Sequence, residues 1–319
     1  MKGVAILSVV IGHYVGIAPL KYIIWSFHLP LFVFISGYFI KPETSNLVSK
    51  AAKAYLKPYC IVWLALIVFE VFKAFYGGDS IIESVQTRFL SGIFGIGSNN
   101  TLHRPDFVIK IGAIWFLYAL FMSFVYVRLF SKISQFGIRA LSYVALMILL
   151  FCLSQYVMIP FNIAAGASFV LWLLAGHYYH KGIDDKLPVR GAILVIASLL
   201  WSITLILQMY TKSSFDICRL YYPLYGFEII GALSGIAVIY NFSKYIQSSR
   251  LGDVLTYIGN RSLWILCVHA FSIEHSLWPF PEYDVYGIIH CVVDVILALF
   301  LCHVYKTYIS SDKKSYLQV

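Results

Sequence analysis

Charged residues are scarce in this chain. Only 12% of its 319 residues are Asp, Glu, Lys or Arg, whereas a soluble domain carries about 25%. Hydrophobic residues make up 60%, and the mean hydropathy is +0.80. A soluble fold of this size cannot bury so much apolar surface, so the composition predicts an all-α membrane protein that crosses the bilayer several times.

Several common catalytic signatures are also missing. The sequence contains no Gly-x-Ser-x-Gly, His-Glu-x-x-His or Walker A motif, which argues against a serine hydrolase, a zinc protease and an ATPase. Its six cysteines show neither Cys-x-x-Cys nor the spacing of a metal site, so we expect no disulfide and no metal. The net charge of +9 does not indicate nucleic acid, because no basic run with interleaved aromatic residues lies outside the apolar segments.

Apolar segments of membrane-spanning length recur along the chain. A crossing needs about 20 apolar residues, and ten segments approach this length: 3–20, 23–40, 58–76, 112–130, 140–159, 165–181, 191–209, 222–242, 262–279 and 286–305. With the N-terminus inside, 17 of the 24 Lys and Arg residues fall on the cytoplasmic side, as the positive-inside rule requires. We therefore predict a bundle of about ten transmembrane helices with both termini in the cytoplasm. One membrane domain covers 1–306, and a short polar tail covers 307–319.

The longest segment between the predicted spans is 77–111, placed on the outer side. It is rich in glycine and partly apolar. It is expected to be either a re-entrant or capping loop over a cavity, or an ordinary surface loop.

Lys2 and His13 stand eleven residues apart in the first apolar segment. On a helix this is three turns plus about 20°, which puts both on one face about 16 Å apart. An ionisable group at membrane depth is costly and points to function. The alternative is a structural histidine that forms a hydrogen bond between helices. A neutral imidazole is suited to take a proton from a hydroxyl group. Lys2, at the inner surface, suits an anion or simply anchors the topology.

His28 lies close to Pro30 at the predicted outer start of the second span. Proline is tolerated in the first turn of a helix, so we expect Pro30 to lie there. His28 is then either structural or a partner for His13 or for a substrate on the outer side. The nearby Ser36-Gly37-Tyr38 is expected to allow close helix packing.

Three lysines of the first inner loop form a second basic group. Lys50, Lys53 and Lys57 recur at i, i+3 and i+7, which places them on one face of a helix. They are either a phosphate site or a topology signal.

Further polar residues lie within or near the later spans. Each would be costly if it faced lipid, so together they predict a polar interior. They are His177, Glu228, Ser262, His269, Glu274, His290 and Asp294. His290 and Asp294, at i and i+4, are expected to be able to pair.

Six segments resemble the acyltransferase 3 family of integral-membrane enzymes, in particular its fucose 4-O-acetylase-like branch. They are Lys2-Gly3 through Gly12-His13, Phe27 to Phe32 with Ser36-Gly37-Tyr38, the lysine-rich approach to Pro58-Tyr59, Ile114 to Phe121, Pro160 to Ile163, and Ile258 to His269. They follow one another along nearly the whole chain. The basic residue and the histidine of the family's first helix correspond to Lys2 and His13. Lysine here replaces the usual arginine, and it keeps the charge but cannot make a bidentate phosphate contact.

The resemblance implies an enzyme of the bacterial plasma (inner) membrane that moves an acyl group, usually acetyl, from cytosolic acetyl-CoA to a sugar hydroxyl. His13 and His28 are then the catalytic candidates, and the acyl donor's phosphates lie near four lysines, Lys2, Lys50, Lys53 and Lys57. The expected partners are a cell-surface or exported polysaccharide and membrane lipid, and neither a metal nor nucleic acid is expected. His13 acts either as a base or through transient acylation.

A transporter or flippase of a glycan or lipid-linked intermediate fits ten spans and a polar interior equally well. Transporters often show repeated halves, and no convincing similarity between halves is found here. A receptor or structural role would leave the alignment of Lys2 with His13 unexplained.

Overall fold

The computed structural model describes residues 1–182, 191–275 and 285–309. These residues belong to two compact units. The first contains the described residues of Met1–Ile35, Tyr179–Phe215 and Tyr222–Val319, and the second contains those of Ser36–Tyr178 and Asp216–Tyr221. Throughout the described ranges the regular structure is helical, and strand pairing is limited to one isolated bridge between Asp216 and Tyr221.

The α-helices follow one another in chain order. They are α1 Lys2–Tyr14, α2 Ala18–Tyr38, α3 Leu47–Ala51, α4 Lys57–Gly77, α5 Ile81–Phe94, α6 Trp115–Phe130, α7 Phe136–Ser154, α8 Ile163–Gly182, α9 Gly191–Tyr210, α10 Phe227–Ile246, α11 Arg250–Gly259, α12 Ser262–His275 and α13 Val285–Val304. Short 3₁₀ turns occupy Gly112–Ile114 and Ile217–Arg219, and π-helical turns occupy Ala52–Leu56 and Tyr305–Ile309.

Within the described residues, seven helical segments are long and apolar enough to cross a membrane. They are Ala18–Tyr38, Leu47–Gly77, Gly112–Phe130, Phe136–Ser154, Gly191–Tyr210, Phe227–Ile246 and Tyr286–Thr307. Many of their large apolar side chains are exposed, among them Phe72 and Ile148, as expected for surfaces that face lipid. The prediction of an all-α membrane bundle is thus confirmed for the described residues. The ten spans, the cytoplasmic termini and the 1–306 boundary stay predictions, and most of the 307–319 tail lies outside the described residues.

The first two helices differ from the predicted spans. α1 ends at Tyr14 after 13 residues, about 20 Å, and does not continue to residue 20. α2 begins at Ala18, before the predicted start of the second span at residue 23. Pro30 therefore lies inside α2, and its predicted place in the first turn is wrong. Since proline has no N–H, it cannot bond the carbonyl group four residues earlier.

The 77–111 segment contains α5, which pairs with α4 in the second unit. Trp63 Nε1 on α4 donates a hydrogen bond to the Arg88 carbonyl oxygen at 3.1 Å. Arg88 Nη2 lies 2.5 Å from Glu70 Oε1. This part of the segment is thus a packed helix rather than a simple loop.

Close packing at Ser36-Gly37-Tyr38 is confirmed. The α-carbon of Gly37 lies against the Leu173 carbonyl of α8, where any Cβ would collide with backbone atoms. Glycine is needed at this position because no side chain fits between the two helices.

Candidate functional site

The α1–α2 hairpin holds both candidate histidines. Gly12 lies against Ile24 and Trp25, such that a Cβ at Gly12 would be 2.9 Å from Ile24 Cγ2. His13 directly follows Gly12, and His28 lies one helical turn beyond Ile24. The two histidines therefore belong to adjoining helices of the first unit.

Both imidazole rings are oriented by the backbone of their own helix. His13 Nδ1 lies 2.8 Å from the Val9 carbonyl oxygen, and His28 Nδ1 lies 2.8 Å from the Ile24 carbonyl oxygen. A carbonyl oxygen only accepts, so Nδ1 carries the hydrogen in each ring. In the neutral rings, Nε2 is then the basic nitrogen.

His13 also begins a chain of polar groups that leads into the protein. Its Nδ1 lies 3.4 Å from His269 Nε2, and the ring centroids are 5.2 Å apart. The other nitrogen of the His269 ring, Nδ1, lies 2.8 Å from Asp294 Oδ2. His13 is exposed, whereas His269 and Asp294 are both 0% exposed.

One arrangement of hydrogens satisfies the His13–Val9, His13–His269 and His269–Asp294 contacts together. The Asp294 carboxylate can only accept, so His269 Nδ1 donates to it. His269 Nε2 then accepts from the Nδ1–H of His13, which is shared with the Val9 carbonyl oxygen. Two independent contacts therefore assign the same tautomer to His13, with the lone pair on Nε2.

Two more side chains complete the surroundings of Asp294. The Tyr14 hydroxyl donates to Oδ2 at 2.8 Å, and the Ser272 hydroxyl donates to Oδ1 at 2.7 Å. With His269, the carboxylate accepts three hydrogen bonds, which compensate for its removal from water. Tyr14 packs edge-on against the rings of His269 and His290, each at 5.0 Å between centroids.

Three helices bring these groups together. α1 contributes His13 and Tyr14 from its last turn, α12 contributes His269 and Ser272, and α13 contributes Asp294. Sequence reasoning named His269 and Asp294 as costly polar residues but missed Tyr14 and Ser272. A signal for Ser272 was present, since it follows His269 at i+3 and shares its helix face.

Lys2 lies at the other end of α1. The helix runs unbroken from Lys2 to Tyr14, so the predicted helical separation from His13 is confirmed. The start of α1 packs on α11, where Gly3 abuts the Leu255 carbonyl group and Gly259 abuts the backbone of Lys2. Sequence reasoning missed α11, although Ser249 at its start caps it by accepting from the Gly252 N–H at 3.2 Å.

The other three candidate lysines lie in the second unit. Lys50, Lys53 and Lys57 are all exposed. The π-helical turn Ala52–Leu56 separates Lys50 from Lys57, and a π-turn is wider than the α-helical turn assumed for their shared face. Their binding of phosphate stays a prediction.

Some of the predicted interior groups have local structural roles. Glu228 accepts from the backbone N–H groups of Leu224 and, at 3.0 Å, Gly226, so its carboxylate caps the start of α10. His177 Nδ1 lies 3.2 Å from the Ile40 carbonyl oxygen. All six cysteines are free thiols, and in the described parts of the chain no three His, Cys, Asp or Glu residues cluster as metal ligands.

Comparison with protein families decides the class of the chain. The acyltransferase 3 model, described as an acyltransferase domain, matches residues 1–303. The chain belongs to the acyltransferase 3 family. The matched range includes His13, Tyr14, His269, Ser272 and Asp294. The long apolar helices agree with a membrane acyltransferase. No curated protein and no solved structure matches this acyltransferase 3 chain.

Proposed function

We propose that this acyltransferase 3 protein is an O-acetyltransferase of the bacterial inner membrane. It moves an acetyl group from cytosolic acetyl-CoA to a hydroxyl group of a cell-surface or exported polysaccharide. The observation that carries the proposal is the tautomer of His13. An exposed imidazole with its lone pair on Nε2, backed by a buried histidine and carboxylate, is suited to take a proton from a hydroxyl group.

The reaction is balanced by one proton that His13 takes and returns. Nε2 accepts the proton of the sugar hydroxyl while the oxygen attacks the thioester carbonyl carbon. The carbon–sulfur bond then breaks, and the departing thiolate takes the proton from Nε2. The ester and free coenzyme A are the products. In the alternative route, Nε2 itself attacks the thioester as the nucleophile and carries the acyl group transiently.

His28 is the second catalytic candidate. Its ring is 7% exposed, and the Ile24 carbonyl oxygen fixes the same tautomer as in His13. Its buried position in the same helical hairpin suits it to orient the acceptor hydroxyl rather than to take the proton. Replacing His28 should therefore weaken acyl transfer less than replacing His13.

The donor phosphates belong at the inner surface in this proposal. Lys2 lies eleven residues from His13 on α1, about 16 Å along the helix axis. An extended pantetheine arm can cover this distance between phosphates at Lys2 and a thioester at His13. Lys50, Lys53 and Lys57 supply further positive charge. The exposed apolar side chains of the helices contact membrane lipid. The proposed topology has ten spans, with both termini in the cytoplasm.

The test is acyl transfer by membranes that contain equal amounts of each protein. Labelled acetyl-CoA and the host's extracted polysaccharide or lipid-linked glycan are supplied to wild type, His13→Ala, and a matched control, His303→Ala. His303 is exposed near the end of α13. We expect an alkali-labile sugar ester with wild type and the control, and about 10²–10⁴-fold less with His13→Ala, because a general base contributes this much. Wild-type labelling by His13→Ala would refute the base, and no labelling by any of the three would count against the reaction.

Donor binding has a separate test. Lys2→Ala should raise the KM for acetyl-CoA and leave the KM for the acceptor unchanged, because it removes a charge that meets only the phosphates. Lys21→Ala is the control, since Lys21 is predicted to lie on the outer side. An unchanged KM for acetyl-CoA in Lys2→Ala would place the phosphates elsewhere.

A further inference from the structure

We infer that Asp294 is a positioning residue whose carboxylate, acting through His269, supplies the counter-charge for protonated His13. This inference rests on the proposed role of His13 as the base. It assigns a role in transfer to a buried residue of α13 that does not itself meet either substrate.

The hydrogen-bond chain makes this coupling possible. When Nε2 of His13 takes a proton, its ring becomes a cation whose Nδ1–H already faces His269 Nε2 at 3.4 Å. His269 in turn donates to Asp294 at 2.8 Å. No group has to turn or move when the charge appears, so the stabilisation is preorganised. The fully buried positions of His269 and Asp294 keep water from screening the attraction.

The groups around Asp294 indicate that its carboxylate supplies a negative charge and does more than hold two helices together. Among the described residues, the titratable groups packed around this hydrogen-bond chain include Tyr14 from α1, His269 from α12, and His290 and Cys291 from α13. Three donors are directed at the carboxylate. Holding two helices together needs only a neutral hydrogen bond, whereas a buried carboxylate with three donors keeps a charge near the base.

Asp294→Asn removes the charge and can retain each hydrogen bond. The amide oxygen, in the place of Oδ2, can accept from His269 and Tyr14. The amide NH₂, in the place of Oδ1, can donate to the Ser272 oxygen, which also accepts. The tautomers of His269 and His13 are then unchanged, so the variant isolates the effect of the charge.

The first measurement does not depend on acyl transfer. Diethyl pyrocarbonate modifies unprotonated imidazole, and mass spectrometry of the peptide containing His13 gives its rate in the purified full-length protein. At pH 8 we expect equal rates in wild type and Asp294→Asn, because pH 8 lies well above the ordinary imidazole pKa of about 6.5 and His13 is exposed. At pH 6 we expect His13 of Asp294→Asn to react about 3–10-fold faster, because less of it is protonated without the nearby negative charge. Asp253→Asn, exposed on α11, should match wild type at both pH values.

The second measurement is transfer itself. Asp294→Asn should lower kcat about 10–100-fold and leave the KM for acetyl-CoA unchanged, because the charge acts only when His13 is protonated. Should Asp294→Asn fail to fold, His269→Gln interrupts the same chain and is expected to give the same faster modification at pH 6.

The outcomes separate this inference from the proposed function. Equal modification rates at pH 6 would overturn the role of Asp294, even if wild type transfers acetyl groups. Slower modification at pH 8 in a folded variant would also overturn it, since Asp294 would then merely hold His13 in place. The expected rates at pH 6 and pH 8 without transfer by wild type would support the coupling and refute the acetyltransferase proposal.

Discussion

The ion pair between α4 and α5 gives a stability prediction that follows directly from its burial. Arg88 Nη2 lies 2.5 Å from Glu70 Oε1, and the two side chains are 4% and 13% exposed. Arg88 Nη1 also donates to the Lys110 carbonyl oxygen at 3.2 Å. Arg88→Ala removes these contacts and leaves the Glu70 carboxylate largely buried beside an empty space.

The expected cost is large because one charge of the pair remains. Removing one partner of a buried ion pair costs about 3–5 kcal/mol, whereas replacing both by apolar residues is often close to neutral. We therefore expect Arg88→Ala and Glu70→Leu each to lower the free energy of unfolding by about that amount. The double variant Glu70→Leu/Arg88→Ala should lose less than either single variant.

The assay is thermal or denaturant unfolding of the purified protein in one detergent, arranged as a double-mutant cycle. Arg250→Ala is the control, because Arg250 is exposed at the start of α11. A loss of less than about 1 kcal/mol in Arg88→Ala, the value typical of exposed pairs, would refute the reasoning. Additive losses in the double variant would show that the two charges are not coupled.

Three further predictions follow from close contacts. Gly37→Leu should destabilise the protein strongly, because the new side chain would collide with the Leu173 carbonyl group. Gly137→Ala should not, because Gly137 has open space around it. Detergent-extracted yield and melting temperature measure both effects. Burial raises the pKa of the Cys218 thiol well above its usual range, so iodoacetamide should react with it slowly at pH 8 and about tenfold faster per pH unit added; a rate like that of a free cysteine would contradict this. Tyr14→Phe removes a hydrogen bond to a buried carboxylate and should cost about 1.5–3 kcal/mol of unfolding free energy, and an unchanged melting curve would show that the bond contributes nothing.

The sequence was sufficient to predict the class of fold and the first member of the site. Low charge and long apolar segments predict membrane helices, because the bilayer leaves few alternatives for the backbone. His13 is identifiable because it is ionisable, lies in an apolar helix and shares a face with Lys2. These arguments use only composition and local spacing, which a sequence states directly.

The partners of His13 depend on contacts that local spacing does not contain. That His290 and Asp294, at i and i+4, can pair on one helix face stays a prediction. The donors to Asp294 that the structure identifies come from α1 and α12. Which faces of three helices meet is decided by packing between distant segments. The early end of α1 and the internal position of Pro30 were missed for a related reason, since the apolar run continues across both.

The long separation between the parts of the site has a consequence for its biogenesis. Tyr14 and Asp294 are 280 residues apart in the chain, and His13 and His269 are 256 residues apart. During synthesis, the first helix is made and released by the translocon long before α13 is made. Asp294 must then enter the bilayer as a lone acidic residue, at a cost of about 2.5–3.5 kcal/mol, which the apolar remainder of α13 offsets. The contacts of His13 and Tyr14 with α12 and α13 can therefore form only after α13 has been made, and a nascent chain that lacks α13 does not contain them.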